Sequence, residues 1–260
     1  MTDQQCTLQW LNTDTAVITL ERREKRNALN AYCLNLLLSH LHTIQNTKPR
    51  PKCFILTGTG PVFCAGADLS DIQGLSGTGV CELGDILDSH FTPVLSALHK
   101  INIPCITALN GPAVGIGVML ALSGDIILTT EDSYMRLNFS RLGLIPDGGL
   151  TYWLPQLVGR HRTIQMILMD EPLTATQAKE IGIVYDIVHQ SDLMNKAQEI
   201  AKNVSKGSVC AHREALKLVR ESMISSYDEQ LQAEARAQTV CGKSIEFKEA
   251  LKNFLFKKNK

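Results

Sequence analysis

The stretch from Asn110 to Gly149 constrains the fold most. Asn110-Gly111-Pro112-Ala113-Val114-Gly115-Ile116-Gly117 is a glycine-rich turn set directly after the apolar run Cys105–Leu109. An apolar helix over 115–123 follows, then a strand over 125–129, then a loop with Asp147 between Pro146 and Gly148. Two strands separated by a helix pair in parallel, with the helix crossing back over the sheet. The pattern therefore predicts an α/β fold around a parallel sheet. The same stretch has a chemical side. The first N–H groups of a helix lack partners inside it and, together with the helix dipole, favour an anion. A lone carboxylate in apolar surroundings is suited to moving a proton. Together they describe a site that stabilises an enolate.

The flanks extend the pattern. Cys6–Leu11 and Thr15–Leu20 read as strands joined by a turn at Asn12-Thr13-Asp14. Asn30 is placed to cap a helix whose Leu34, Leu37, Leu38, Leu41 and Ile44 fall at 3.6-residue spacing. Lys52–Thr57 is a buried strand. Gly58-Thr59-Gly60 after it is no dinucleotide loop, because Pro61 stands where a helix should open. Ser70–Gly84 is rich in Gly and Ser and reads as a loop, suited to a lid or an acyl-pocket wall. A helix over 90–99 and another over 152–169 are expected. Thr174-Ala175-Thr176-Gln177 fits a capping box, Gly182 ends that helix, and Ile183–Val188 is a short strand. From Leu193 onward the pattern is helical. We divide the chain into a core over 1–195 and a helical C-terminal region over 196–260, acting as one unit.

Charge and composition narrow the partners. Twenty-six Lys and Arg balance 26 Asp and Glu, so the chain lacks the electrostatic footprint of a nucleic-acid binder. No apolar run reaches the roughly 18 residues of a membrane span, and the N-terminus has no signal-peptide pattern. Eight cysteines without a Cys-x-x-Cys pair read as reduced, mostly buried thiols of a cytoplasmic protein that holds no metal.

Two loops follow apolar strands and present small residues: Cys64-Ala65-Gly66-Ala67-Asp68 and Pro112–Gly117. Two amides aimed at one oxygen form an oxyanion hole. With these loops go Glu24-Lys25-Arg26-Asn27-Ala28-Leu29-Asn30, Leu142-Gly143-Leu144-Ile145-Pro146-Asp147-Gly148-Gly149, and Leu173-Thr174-Ala175 through Gly182-Ile183-Val184. In this order and at these separations, the segments resemble the crotonase (enoyl-CoA hydratase/isomerase) superfamily over nearly the whole chain. The resemblance implies a crotonase-like ββα spiral core and a homotrimer or dimer of trimers. It also implies an acyl-CoA thioester substrate, with no cofactor beyond the CoA that the substrate carries. The thioester oxygen would take the amides of Ala65 and Ile116. Lys25, Arg26, Ala28 and Leu29 would touch the CoA moiety. Gly66, Ala67, Asp68, Leu69 and Gly115 would line the acyl site, and Phe254 and Lys257 would approach the adenine.

The departures from the family pattern point to the reaction. Hydratases of the family use two glutamates, and in register those positions hold Met119 and Phe139. Asp147 instead matches the single acid of the peroxisomal-type Δ3,Δ2-enoyl-CoA isomerases and of the phenylacetate-pathway ring isomerases. Hydration needs a base for water and an acid for C2, whereas isomerisation needs one base. Desolvation by Met119 and Phe139 would raise the pKa of Asp147 toward that of a working base. We therefore expect an isomerase with Asp147 as proton shuttle. The alternatives are a hydratase, a dehalogenase-like use of Asp147 as nucleophile with His90 or His99 as base, and a non-catalytic acyl-CoA-binding module.

Overall fold

The computed structural model describes residues 4–71 and 82–257, the last by its backbone alone. Strands β1 (Cys6–Asn12) and β2 (Thr15–Leu20) pair antiparallel. Helix α1 (Ala31–Asn46) starts where Asn30 accepts the Cys33 N–H at 2.8 Å. Then come β3 (Cys53–Gly58), a π-helical turn (Leu87–Phe91), α2 (Thr92–Lys100), β4 (Cys105–Leu109), β5 (Ala113–Val114), α3 (Ile116–Leu122), β6 (Ile126–Thr129) and β7 (Tyr134–Arg136). The expected helix over 152–169 is two helices, α4 (Leu150–Val158) and α5 (Arg160–Met169), broken at Gly159 with φ 80°. After them stand β8 (Leu173–Thr174), α6 (Ala175–Glu180), opened by the expected capping box, and β9 (Asp186–Ile187). Four helices close the chain: α7 (Leu193–Val204), α8 (Val209–Glu221), α9 (Tyr227–Gly242) and α10 (Ile245–Lys257).

The main sheet runs β1-β2-β3-β4-β6-β9, and every pair after the first is parallel. Its central strands are apolar nearly throughout because both faces are covered. Alternate residues divide between two layers. Ile18, Leu20, Phe54, Leu56 and Leu109 face α1 and α2, whereas Val17, Ile55, Ile106, Ala108 and Leu128 face α7. The boundary expected at 195/196 thus falls inside α7, whose Leu193, Ala197, Ile200 and Ala201 complete the second layer. Packing assigns α7 to the core. A small sheet, β5-β7-β8, lies beside the main one.

The loops at the carboxyl ends of β3 and β4 are clamped to the charged segment. Asn110 accepts the Gly58 N–H at 3.0 Å and donates to the Gly60 carbonyl at 2.8 Å. Asn27, with φ 57°, donates to the carbonyls of Thr59 and Val62 at 2.9 and 2.8 Å. The approach is so close that a Cβ on Gly111 would stand 2.0 Å from the Pro61 carbonyl oxygen. A backbone atom cannot turn aside as a side chain does. Gly111→Ala is therefore expected to destabilise the fold by about 3 kcal/mol or more, read as a lower urea midpoint.

Candidate active site

A cavity of about 300 Å3 opens where these loops meet α3. Gly66, with φ 98°, lets the first loop touch the second, since a Cβ there would lie 2.9 Å from the Val114 carbonyl oxygen. Cys64 and Ala113 pair in a single parallel bridge, which fixes the two loops side by side. The structure corrects which amides are free. The Ala65 N–H donates to the Arg26 carbonyl at 3.0 Å, so it is spent inside the protein. The N–H groups of Ala67 and Ile116 have no acceptor among the described residues, and both residues line the cavity. Ile116 is the first residue of α3, where an unpaired N–H is expected.

Asp147 lines the same cavity and is the one ionisable side chain among its described lining residues. Its Oδ1 is buried and has no hydrogen-bond partner among the described residues. Burial with little compensation pushes its pKa from 3.8 up to about 6. The Asp147 loop rests on α3, for a Cβ on Gly148 would meet the Ile116 Cδ1 at 3.1 Å. A carboxylate with an unpartnered Oδ1 and a raised pKa, lining one cavity with two amides that have no described acceptor, is the arrangement of a base and an anion site in one pocket.

The other expected site residues divide. Gly66, Leu69, Gly115 and Phe139 line the cavity. Met119 does not, and its side chain lines a separate cavity behind α3. Asp68 is turned away: its Oδ2 lies 3.0 Å from Arg22 Nη2, and its Oδ1 accepts from Ser70. The Ser70 hydroxyl hydrogen bond, with the Arg22 guanidinium, holds its carboxyl below the usual range against the cost of burial. Leu29 is 1% exposed and belongs to the core, because an apolar side chain in a charged segment finds the interior. Its N–H and carbonyl are taken by Gly66 and Asp68.

Lys25 and Arg26 are exposed and Ala28 half-buried, and none of them lines the cavity. They stand next to it through the Arg26–Ala65 hydrogen bond. Phe254 is 60% exposed on α10, away from the cavity lining. The Lys257 side chain, and residues 72–81 of the expected loop over 70–84, lie outside the described residues. Neither His90 nor His99 lines the cavity, so no imidazole stands ready to serve a nucleophilic Asp147 among the described residues.

One functional cluster has only a weak sequence signal. Asp170, with φ 52°, is buried at the end of α5. It accepts from Arg136 at 2.8 and 3.1 Å, from Arg141 at 2.9 Å, and from the Asn138 N–H at 2.8 Å. Burial raises its pKa, but the Arg136 hydrogen bonds outweigh it and the net shift is downward. This clamp holds Leu137-Asn138-Phe139 against the cavity, and the Arg136 carbonyl accepts the Gly115 N–H at 2.9 Å. The signal was an Asp able to adopt the left-handed region at a helix end. Asp170→Ala should cost about 2–3 kcal/mol in urea unfolding, because it strands Arg136 and the Asn138 amide.

This fold is that of a known class. The chain matches the family described as Enoyl-CoA hydratase/isomerase over residues 11–260. It is 34% identical over 245 residues to a probable enoyl-CoA hydratase of Rhodobacter capsulatus, covering 94% of this chain and 92% of that protein. It is 32% identical over 243 residues to 1,2-epoxyphenylacetyl-CoA isomerase of Escherichia coli, covering 93% and 92%. The solved enoyl-CoA hydratase of Bacillus anthracis superposes with a TM-score of 0.90 at 28% identity, covering 98% of this chain and 97% of that one. The chain belongs to the enoyl-CoA hydratase/isomerase family and has its crotonase fold, as the motifs implied. That family acts on acyl-CoA thioesters. No described helix is long and apolar enough to cross a membrane.

Proposed function

We propose that this enzyme moves the double bond of an enoyl-CoA from Δ3 to Δ2. The observation that carries the reading is the pairing of one unsatisfied carboxylate, Asp147, with two unpaired amides, Ala67 and Ile116, in a cavity without a second described acid. The thioester oxygen accepts from the Ala67 and Ile116 N–H groups. Asp147 takes the proton from C2, and the charge moves to the thioester oxygen as a dienolate. The protonated Asp147 returns the same proton to C4, which regenerates the carboxylate. No water is consumed, and no cofactor beyond the substrate's own CoA takes part.

A hydratase would need a second acid, and Phe139 lines the cavity where the family pattern places one. Hydratase names among the relatives keep that reading as the alternative. The exposed apolar side chains of α9 and α10, among them Leu231, Val240, Phe247 and Leu251, supply a surface for a homotrimer or dimer of trimers.

A coupled spectroscopic assay on 3-hexenoyl-CoA and 2-hexenoyl-CoA tests the reading. We expect turnover of the first, with hydration of the second at least 100-fold slower. Comparable or faster hydration of 2-hexenoyl-CoA overturns it.

A further inference from the structure

Two thiols meet in the C-terminal helices. Cys210 on α8 and Cys241 on α9 are 31 residues apart in sequence, yet their Sγ atoms stand 3.8 Å apart. Both are free and half-buried, whereas Cys6, Cys33, Cys53, Cys64 and Cys105 are buried. They are thus the accessible pair among the described cysteines. Helix α8 is fastened to the core by Arg220, which donates to the carbonyls of His99 and Ile101 at 3.0 and 2.8 Å and pairs with Asp125 at 2.9 Å. Helix α9 is held less firmly. Ala237 is its one buried residue, and it lies one turn before Cys241 on the same face. Toward the other end of α9, Gln230 Nε2 donates to the Leu218 carbonyl of α8 at 3.2 Å.

We propose that Cys210 and Cys241 form a redox-modification site whose disulfide staples α9 to α8, with a small disulfide such as oxidised glutathione as the oxidant. One protein thiolate attacks a sulfur of the small disulfide, forms a mixed disulfide and expels one glutathione thiolate. The second protein thiolate attacks the protein sulfur of that mixed disulfide, closes the Cys210–Cys241 bond and expels the other glutathione. The pair gives up two electrons and two protons, and the oxidant leaves as two thiols. Closing the bond takes the sulfurs across a gap of about 2 Å. Burial, then the Cys210 hydrogen bond, pushes the Cys241 thiol up. That slows its attack but leaves no stabilised thiolate to oppose the bond. The thiols are already in contact, so each meets the other at an effective concentration above the millimolar range of a flexible loop. The closed loop also restricts the unfolded chain, which stabilises the fold.

The test is equilibration of the full chain in graded glutathione buffers, followed by acid quenching, alkylation and peptide mapping. Trypsin places Cys210 in Gly207–Arg213 and Cys241 in Ala237–Lys243, so a bond between the two peptides is read directly. We expect half of the chains to carry that bond at a squared thiol to disulfide ratio of about 10 mM or higher. Oxidised protein should melt at least about 4 °C above reduced protein. Cys210→Ser and Cys241→Ser, each checked for folding by circular dichroism, should lose the linkage and the difference in melting, and carry glutathione on the remaining thiol. The wild-type map stands without either variant. Half-oxidation below that ratio, or glutathione on both cysteines in place of the bond, overturns the site. Equal melting of the oxidised and reduced forms overturns the staple.

Discussion

Asp147→Asn is expected to lower kcat on a 3-enoyl-CoA by about 10²–10⁴-fold while KM changes little, because the variant keeps the shape of the site and loses its base. The wild type adds a pH signature. The base must be ionised, so kcat/KM should climb as pH rises and level off above an inflection near the Asp147 pKa of about 6. Stability moves the other way. The folded pKa lies above the unfolded value of 3.8, so folding favours the neutral acid. That contribution is fully present below pH 3.8 and is lost as pH rises through about 6. At pH 7 the fold therefore carries an ionised carboxylate it would shed. The rise in pKa corresponds to at most about 3 kcal/mol, and partial solvent access reduces this to about 1–2 kcal/mol. Asp147→Asn should thus melt about 2–4 °C higher than wild type at pH 7 and no higher at pH 3. A variant that keeps full activity would remove Asp147 from the mechanism.

Ile116→Pro should lower kcat by about 10²–10³-fold, the usual effect of deleting one oxyanion donor. Proline is tolerated at the first position of a helix, where its missing N–H would have had no helical partner, and Gly115 before it has no Cβ to crowd the ring. The fold is therefore expected to hold while the amide disappears. The substitution also trims a buried side chain, and Ile116→Val separates that effect. It keeps the N–H, costs about 0.5–1.5 kcal/mol of stability, and should retain nearly full kcat. Equal kcat for Ile116→Pro and Ile116→Val would show that the amide does not meet developing charge.

The strands, the Asn30 cap and the Thr174 capping box were legible because their causes are local. Alternating or continuous apolar runs and a capping oxygen three residues from its amide need no knowledge of distant chain. The glycine turns were legible for the same reason, whereas Pro-Asp-Gly by itself marks only a turn, and Asp147 stood out through the family resemblance of the surrounding motifs. The choice between Ala65 and Ala67 was not legible. Both are small residues in one turn, and what separates them is the Arg26 carbonyl, brought to Ala65 by left-handed backbone at Arg26 and Asn27, φ 52° and 57°. Leu29 and Asp68 misled for a related reason. Each lies in a loop composed like a surface, yet Leu29 enters the core and Asp68 is consumed by the buried Arg22. The break between α4 and α5 turned on a single glycine, and periodicity runs across it unchanged. Met119 kept its apolar character but lines another cavity than the one with Asp147, a placement fixed only by packing.

The Arg26–Ala65 hydrogen bond and the Leu29–Ala67 bridge join the charged segment to the first loop as one strip of backbone. If the coenzyme end of a substrate settles on Lys25 and Arg26, it grips the same strip that presents the Ala67 amide. The handle of the ligand and the atom that reacts then lean on a single lever. An ester with a truncated handle would be expected to suffer in turnover and not only in affinity, since it leaves that lever unheld.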